Sequence, residues 1–191
     1  MLKSDQKGVT MVEAIAAISV VTVLTVSVIG LIGSMFEMFR LNMIAEEVQD
    51  IQKNVVTRYR LEGNFAELSS SKMTPAKLKE EQLIPSQMLV NGKIVHRLNG
   101  EVEIKASALG DEYFDVTFKQ LSLKACMDLS QLTWSNTQGT DLFQIKINSK
   151  TFKLPINGIK FGDDNALPIT PEKAAKSCKD DGNNTIVWTF Q

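Results

Sequence analysis

Histidine occurs once in these 191 residues, cysteine twice and proline five times, and neither sign of charge prevails. A lone histidine, His96, excludes any metal or catalytic centre that needs two imidazoles, and it reads as a strand residue. Cys126 and Cys178 stand too far apart for a zinc-binding pair, and neither a nucleophile elbow nor a phosphate-cradling glycine loop is spelled anywhere. With 21 basic and 22 acidic side chains the net charge is −1, which gives a nucleic acid no electrostatic footprint. Aromatics make up only 7%, and Trp134 and Trp188 read as core residues rather than a ligand platform. The composition calls for no enzyme, cofactor or metal; the Asp163-Asp164 pair reads as a solvated loop rather than a cation site.

What the chain does have is a long apolar run. Residues 14–36, AIAAISVVTVLTVSVIGLIGSMF, carry no charge, and a helix of that length crosses the hydrocarbon core of a bilayer. A cleaved secretory signal has a shorter apolar core followed by a small-residue cleavage site. A plain membrane anchor is the other reading the run alone allows. Either way MLKSDQK stays cytoplasmic and the chain beyond the run is exported. The two cysteines then meet an oxidising compartment, where a pair forms one disulfide; two buried free thiols are the alternative.

Helical periodicity continues past the run. Leu41, Ile44, Val48, Ile51, Val55 and Tyr59 recur at spacings of three and four, with Glu46, Glu47, Asp50, Lys53 and Arg58 largely off that stripe. LEGN at 61–64 supplies a glycine for the helix end. One continuous helix from about Val9 to Glu62 accounts for both halves. Gly30 and Gly33 interrupt its apolar half, either for close packing against another helix or as a point of local unwinding. Thr74-Pro75 and Thr170-Pro171 each open a short helix, and LSLKACMDLSQL at 121–132 is a third. KIVHRL, EVEIKAS, YFDVTFKQ, LFQIKIN, TFKLPI and TIVWTFQ read as strands, with turns at Asn91-Gly92, Asn99-Gly100 and Asn157-Gly158. The predicted fold is α+β. A long N-terminal α-helix has its apolar half protruding and its amphipathic half packed on a mainly antiparallel β-sheet, with short flanking helices and one disulfide.

One carboxylate, Glu13, sits where the apolar run begins, in KGVTMVEA at 7–14. A charge there is costly unless it is paired or near the interface. KGVTMVE resembles the N-terminal processing motif of the type IV pilins. YRLEGNF, LIPSQM, NGEVEI, LSLKACMDL and ITPEKAAKSCKDDGNNTIVWTF extend the similarity along the chain, toward the type IVb branch that includes bundlin and the toxin-coregulated pilin. The resemblance implies cleavage after Gly8 by a prepilin peptidase, N-methylation of Val9 as the first mature residue, and Glu13 as the fifth. It divides the chain into a leader, 1–8, an assembly half-helix, 9–36, an amphipathic half-helix, 37–62, and a head, 63–191, with a disulfide-bounded region at 126–178.

The implied function is that of a major pilin, held in the inner membrane with its head in the periplasm and then polymerised into an extracellular fibre for adhesion, aggregation or colonisation. The implied partners are other copies of itself, the peptidase and N-methyltransferase, the inner-membrane assembly machinery and minor pilins, with no nucleic acid. Met11, Ile15, Ile18, Leu24 and Val28 would pack in the fibre, where the Val9 amine of one subunit neutralises Glu13 of another. A minor pilin or a secretion-system pseudopilin shares the same N-terminal chemistry. A signal-anchored periplasmic binding domain that never polymerises is the alternative of another class.

Overall fold

The computed structural model describes residues 10–59, 61–132, 142–155, 160 and 162–191, and within its first helix the side chains outside 23–34 and 37. The chain resolves into two compact units, Met1–Phe39 and Arg40–Gln191. Helix α1, Met11–Tyr59, supplies the described part of the first unit and the opening of the second.

In the second unit every residue of the expected stripe is buried: Leu41, Ile44, Val48, Ile51, Val55 and Tyr59. They share one hydrophobic core with the inward side chains of a five-stranded sheet. The sheet consists of β3, Val102–Ser107, β4, Gly110–Leu121, β5, Leu142–Ile147, β6, Lys150–Lys153, and β7, Asn184–Phe190. Its order is β3-β4-β7-β5-β6, with every neighbouring pair antiparallel. Strand alternation sends Phe114, Val116 and Phe118 of β4 inward beside Phe190, Trp188 and Ile186 of the central β7. An aromatic series, Tyr59 to Phe65 to Phe114 to Phe190, joins the end of α1 to the sheet at centroid spacings of 6.0, 4.7 and 5.5 Å.

Local signals behave as their chemistry dictates. Thr74 caps α2, Pro75–Glu80, and Thr170 caps α4, Pro171–Ser177, each with proline in the first turn; Ser122 caps α3, Leu123–Gln131. Asn91 and Gly92 take φ of 50° and 76°, the left-handed pair that closes a two-residue hairpin between β1, Leu89–Val90, and β2, Lys93–Ile94. The described part of α1 runs to Tyr59, and the Gly63 N–H bonds the Tyr59 carbonyl at 3.2 Å with Gly63 at φ 68°, the glycine helix end that LEGN spells. Two expectations need correction. His96, expected as a strand residue, lies in the turn after β2. Glu47, expected off the apolar stripe, is 4% exposed. The buried face is wide enough to take in position 47 and also Gln52.

Both outer edges of the sheet are engaged. Along β6 the Lys153 N–H donates to Asn165 O at 2.9 Å and the Leu167 N–H to Lys153 O at 2.8 Å. At β3, Val95 bridges Glu101, and the Ala106 N–H donates to Ser69 Oγ at 3.0 Å. Each edge thus has part of its outer ladder taken up by these contacts.

The Cys126–Cys178 disulfide joins α3 to the C-terminal end of α4 across 52 positions, with a Cα–Cα distance of 6.0 Å. Closing a loop of that length in the unfolded chain stabilises the fold by about 4 kcal/mol on the chain-entropy account. Beside it lies a second fastening. Asn184 is fully buried; its Nδ2 donates to Leu121 O at 3.0 Å and Lys179 O at 2.8 Å. Its Oδ1 accepts from the Lys179 N–H at 2.6 Å and Asn148 Nδ2 at 3.0 Å. Asn148 in turn donates to Ser177 O and accepts from the Thr185 N–H. One amide thus ties the end of β4, the β5–β6 turn and the segment after α4 to the start of β7. Asn184→Ala strands several of these buried groups at about 1–3 kcal/mol each. The variant should lose about 3 kcal/mol or more in urea unfolding with the disulfide still formed.

Candidate assembly helix

The first unit is built on the opposite pattern from the second. Thr10 starts α1: its Oγ1 accepts the Glu13 N–H at 3.4 Å, and its carbonyl accepts the Ala14 N–H at 3.1 Å. Thr-x-x-Glu is the capping-box spelling, and an acid in the first turn also faces the positive end of the helix dipole. The Glu13 side chain is exposed. Gly8 and Val9, the expected processing residues, lie outside the described residues, so of Gly8, Val9 and Glu13 only Glu13 has a described position.

Beyond the cap, the described polar side chains of the run, Ser19 and Thr22, turn inward on their own helix. Ser19 Oγ bonds the carbonyls of Ile15 and Ala16, each at 2.9 Å, and Thr22 Oγ1 bonds Ile18 O at 2.8 Å. Their hydroxyls are satisfied by backbone oxygens one turn back, so they present little polarity to the surroundings. The remaining surface is apolar: Met11 is 81% exposed, Ile18 66%, and Val20 and Val21 60% and 61%. Consecutive positions such as these point in different directions round a helix, so no polar face emerges among the described residues of the run. Met35, Phe36, Met38 and Phe39, at the end of this unit, are exposed as well.

The backbone of α1 remains helical through Gly30 and Gly33; their surroundings, and the side chains of Leu24 and Val28, lie outside the described residues. Among the described residues no helix is long and apolar enough to cross a membrane. The residues at 23–34 that complete the uncharged run are those whose side chains are not described.

Chemistry elsewhere is structural. Among the described residues no cluster of three or more histidine, cysteine, aspartate or glutamate side chains is placed to hold a metal. Asp163 Oδ2 accepts the Lys160 N–H at 2.8 Å, and its carbonyl accepts Lys173 Nζ, so it shapes a turn. Trp188 is a core residue, edge-on to Phe118 at 5.5 Å; Trp134 lies outside the described residues. Asn183, in the Asn183-Asn184-Thr185 sequon, is exposed. The feature that sequence reasoning missed is an ion pair: Arg97 Nε stands 3.3 Å from Oε1 of the buried Glu47. Burial pushes the Glu47 carboxyl above its ordinary value, while the Arg97 backbone N–H and guanidinium pull it back down. The two residues are fifty positions apart, and only the glutamate's place at the margin of the stripe hinted at it.

The comparisons with known proteins follow this division. A family model described as PilS N terminal matches residues 39–191. A type IVb pilin from Salmonella typhi is similar in structure, with a TM-score of 0.52 and 22% identity over 77% of this chain and 97% of that one. TcpA, a type IV pilin from the Vibrio cholerae El Tor biotype, is similar at a TM-score of 0.54 and 10% identity, covering 78% and 98%. At these identities the likeness is one of fold. No curated protein matches the chain in sequence.

The two kinds of surface on α1 lead to a direct contrast. Ile51 is fully buried and Ile18 is exposed. Ile51→Ala should cost the second unit about 2–5 kcal/mol in a denaturant titration of the full chain in detergent. Ile18→Ala should change it by no more than about 0.5 kcal/mol.

Proposed function

This chain belongs to the PilS N-terminal family and carries the type IVb pilin fold, and from that premise we propose that it is the major structural subunit of a type IVb pilus, made in the inner membrane and assembled through its N-terminal helix. The observation that carries this reading is the pairing of opposites on one helix. Leu41 to Tyr59 bury their apolar stripe inside a domain, while the described side chains of residues 11–22, 35, 36, 38 and 39 are mostly apolar and exposed. A surface of that kind needs lipid or other helices around it. In the bilayer it serves as the anchor; in the fibre, copies of the same segment replace the lipid.

Cleavage after Gly8 gives this helix a free amine at Val9, four residues before Glu13. Methylation keeps that amine cationic. In a water-free bundle an exposed carboxylate finds stabilisation only from a positive partner, and the Val9 amine of a neighbouring subunit supplies one. Glu13 is therefore a register device: amine and carboxylate meet at one axial offset and at no other. The contacts along both outer sheet edges are in keeping with this route rather than growth by strand addition. The disulfide and the Asn184 knot suit a head that works outside the cell. The role is structural and non-enzymatic.

Glu13→Ala tests the reading in cells that express the chain with its assembly machinery. The variant should reach the membrane and be processed as usual. Its yield in sheared surface fibres should fall about tenfold or more, the equivalent of ~1.4 kcal/mol or more per subunit. Normal fibre yield from Glu13→Ala would remove the register role and with it the proposed route of assembly.

A further inference from the structure

His96, the chain's sole histidine, lies in the turn that leads from β2 into β3 and is 1% exposed. The turn closes with the His96 N–H on Gly100 O at 2.9 Å and the Asn99 N–H on His96 O at 2.8 Å. Both ring nitrogens are engaged: Nδ1 accepts the Leu98 N–H at 3.1 Å, and Nε2 stands 2.9 Å from the Lys119 carbonyl. An acceptor at Nδ1 leaves Nε2 to carry the proton, so the neutral ring donates to Lys119 O. The ring lies flat on Phe118, 5.2 Å between centroids and 5° between planes. On the other side the backbone closes in: a Cβ at Gly100 would fall 2.2 Å from Nε2 and 2.1 Å from Lys119 O. The site fits one tautomer of one charge state.

A second proton can only go to Nδ1, where it would face the Leu98 N–H, donor against donor. The turn must open to admit it. Arg97 moves with that turn, and its Nε is the partner of the buried Glu47. The charged groups around the ring are otherwise occupied. Glu101, just before β3, and Glu103 within it both hold the Lys119 ammonium of β4. From α1, Glu47 faces Arg97, and Asp50 acts on Glu47. Among the described residues none of these carboxylates is positioned to stabilise an imidazolium.

We propose that His96 is an acid-sensitive latch: its protonation opens the 96–100 turn and releases the Arg97–Glu47 pair that fastens this turn to α1. Burial holds the imidazole below its ordinary value, with the Lys119 carbonyl acting the other way. A lowered folded value means that the unfolded or opened chain binds the extra proton more readily. The latch's contribution is therefore complete above about pH 6.5 and is lost as pH falls from there through the folded value. Glu47 has the opposite sign. Its raised value favours the protonated carboxyl in the fold, so its contribution grows as pH falls toward the ordinary value of 4.5. Of these two groups, His96 is the one whose contribution falls with acid.

A single histidine gives a single imidazole signal. The full chain in detergent micelles is titrated from pH 8 to 4.5, following the His96 ring by NMR and the Leu98 and Asn99 amides by hydrogen exchange. The ring should titrate clearly below pH 6.5, and the open population should rise about tenfold for each pH unit below the onset. Both amides should lose protection over the same range while β7 amides keep theirs. His96→Gln should remove the pH dependence of the turn, and Glu47→Gln should leave the ring titration in place. An ordinary midpoint near 6.5, a ring still neutral at pH 4.5, or a protonated ring with Leu98 and Asn99 still protected would each overturn the latch.

Discussion

A five-stranded antiparallel sheet with one strongly apolar face has to cover that face, and here the cover is the later stretch of α1. Everything else depends on that packing. Tyr59, Val55, Ile51, Val48 and Ile44 stand in one core with Trp188, Phe118 and Phe114, and each buried aliphatic or aromatic side chain is worth roughly 1.5–3 kcal/mol relative to exposure. The stripe is satisfied inside the domain from Leu41 onward, which leaves residues 11–39 available for the membrane and assembly role proposed above.

The hydrophobic packing sets the layers, and a few polar groups set the details. At one end of the sheet Asn184 uses both its donors and its acceptor oxygen on three backbone groups and Asn148. At another corner His96 bridges its own turn and β4, with Arg97 beside it on Glu47. Such groups are expensive to leave unsatisfied in a buried setting. Each therefore permits one arrangement of the segments around it. The two knots differ in one respect: an amide does not titrate in the ordinary pH range, and an imidazole does.

Much of this was legible in the sequence because it rests on local periodicity. The stripe from Leu41 to Tyr59, the Thr-Pro helix starts, the Asn-Gly turn at 91–92 and the alternating strands are each set by neighbours a few positions away. The disulfide was legible from the number of cysteines and the predicted export. Glu47 and Asn184 were not. Glu47 looks like an ordinary exposed helix glutamate until Arg97, fifty positions later, is brought over it. Asn184 looks like part of a loop, and it reads first as the middle of a glycosylation sequon. His96 fits a strand pattern, yet its tautomer is set by the Leu98 N–H, and its need for glycine at position 100 by the ring itself and the Lys119 carbonyl of β4. Partners supplied from distant sequence leave no local mark.

The N-terminal mass of the mature chain bears most directly on the claim that this helix is an assembly element with a new amine at its start. Protein from sheared surface material is digested and its N-terminal peptide weighed. The account predicts a peptide that begins at Val9 and carries one added methyl group. A peptide that begins at Met1, or one that begins beyond the apolar run, would contradict it, because Glu13 would then have no amine in its neighbour to meet.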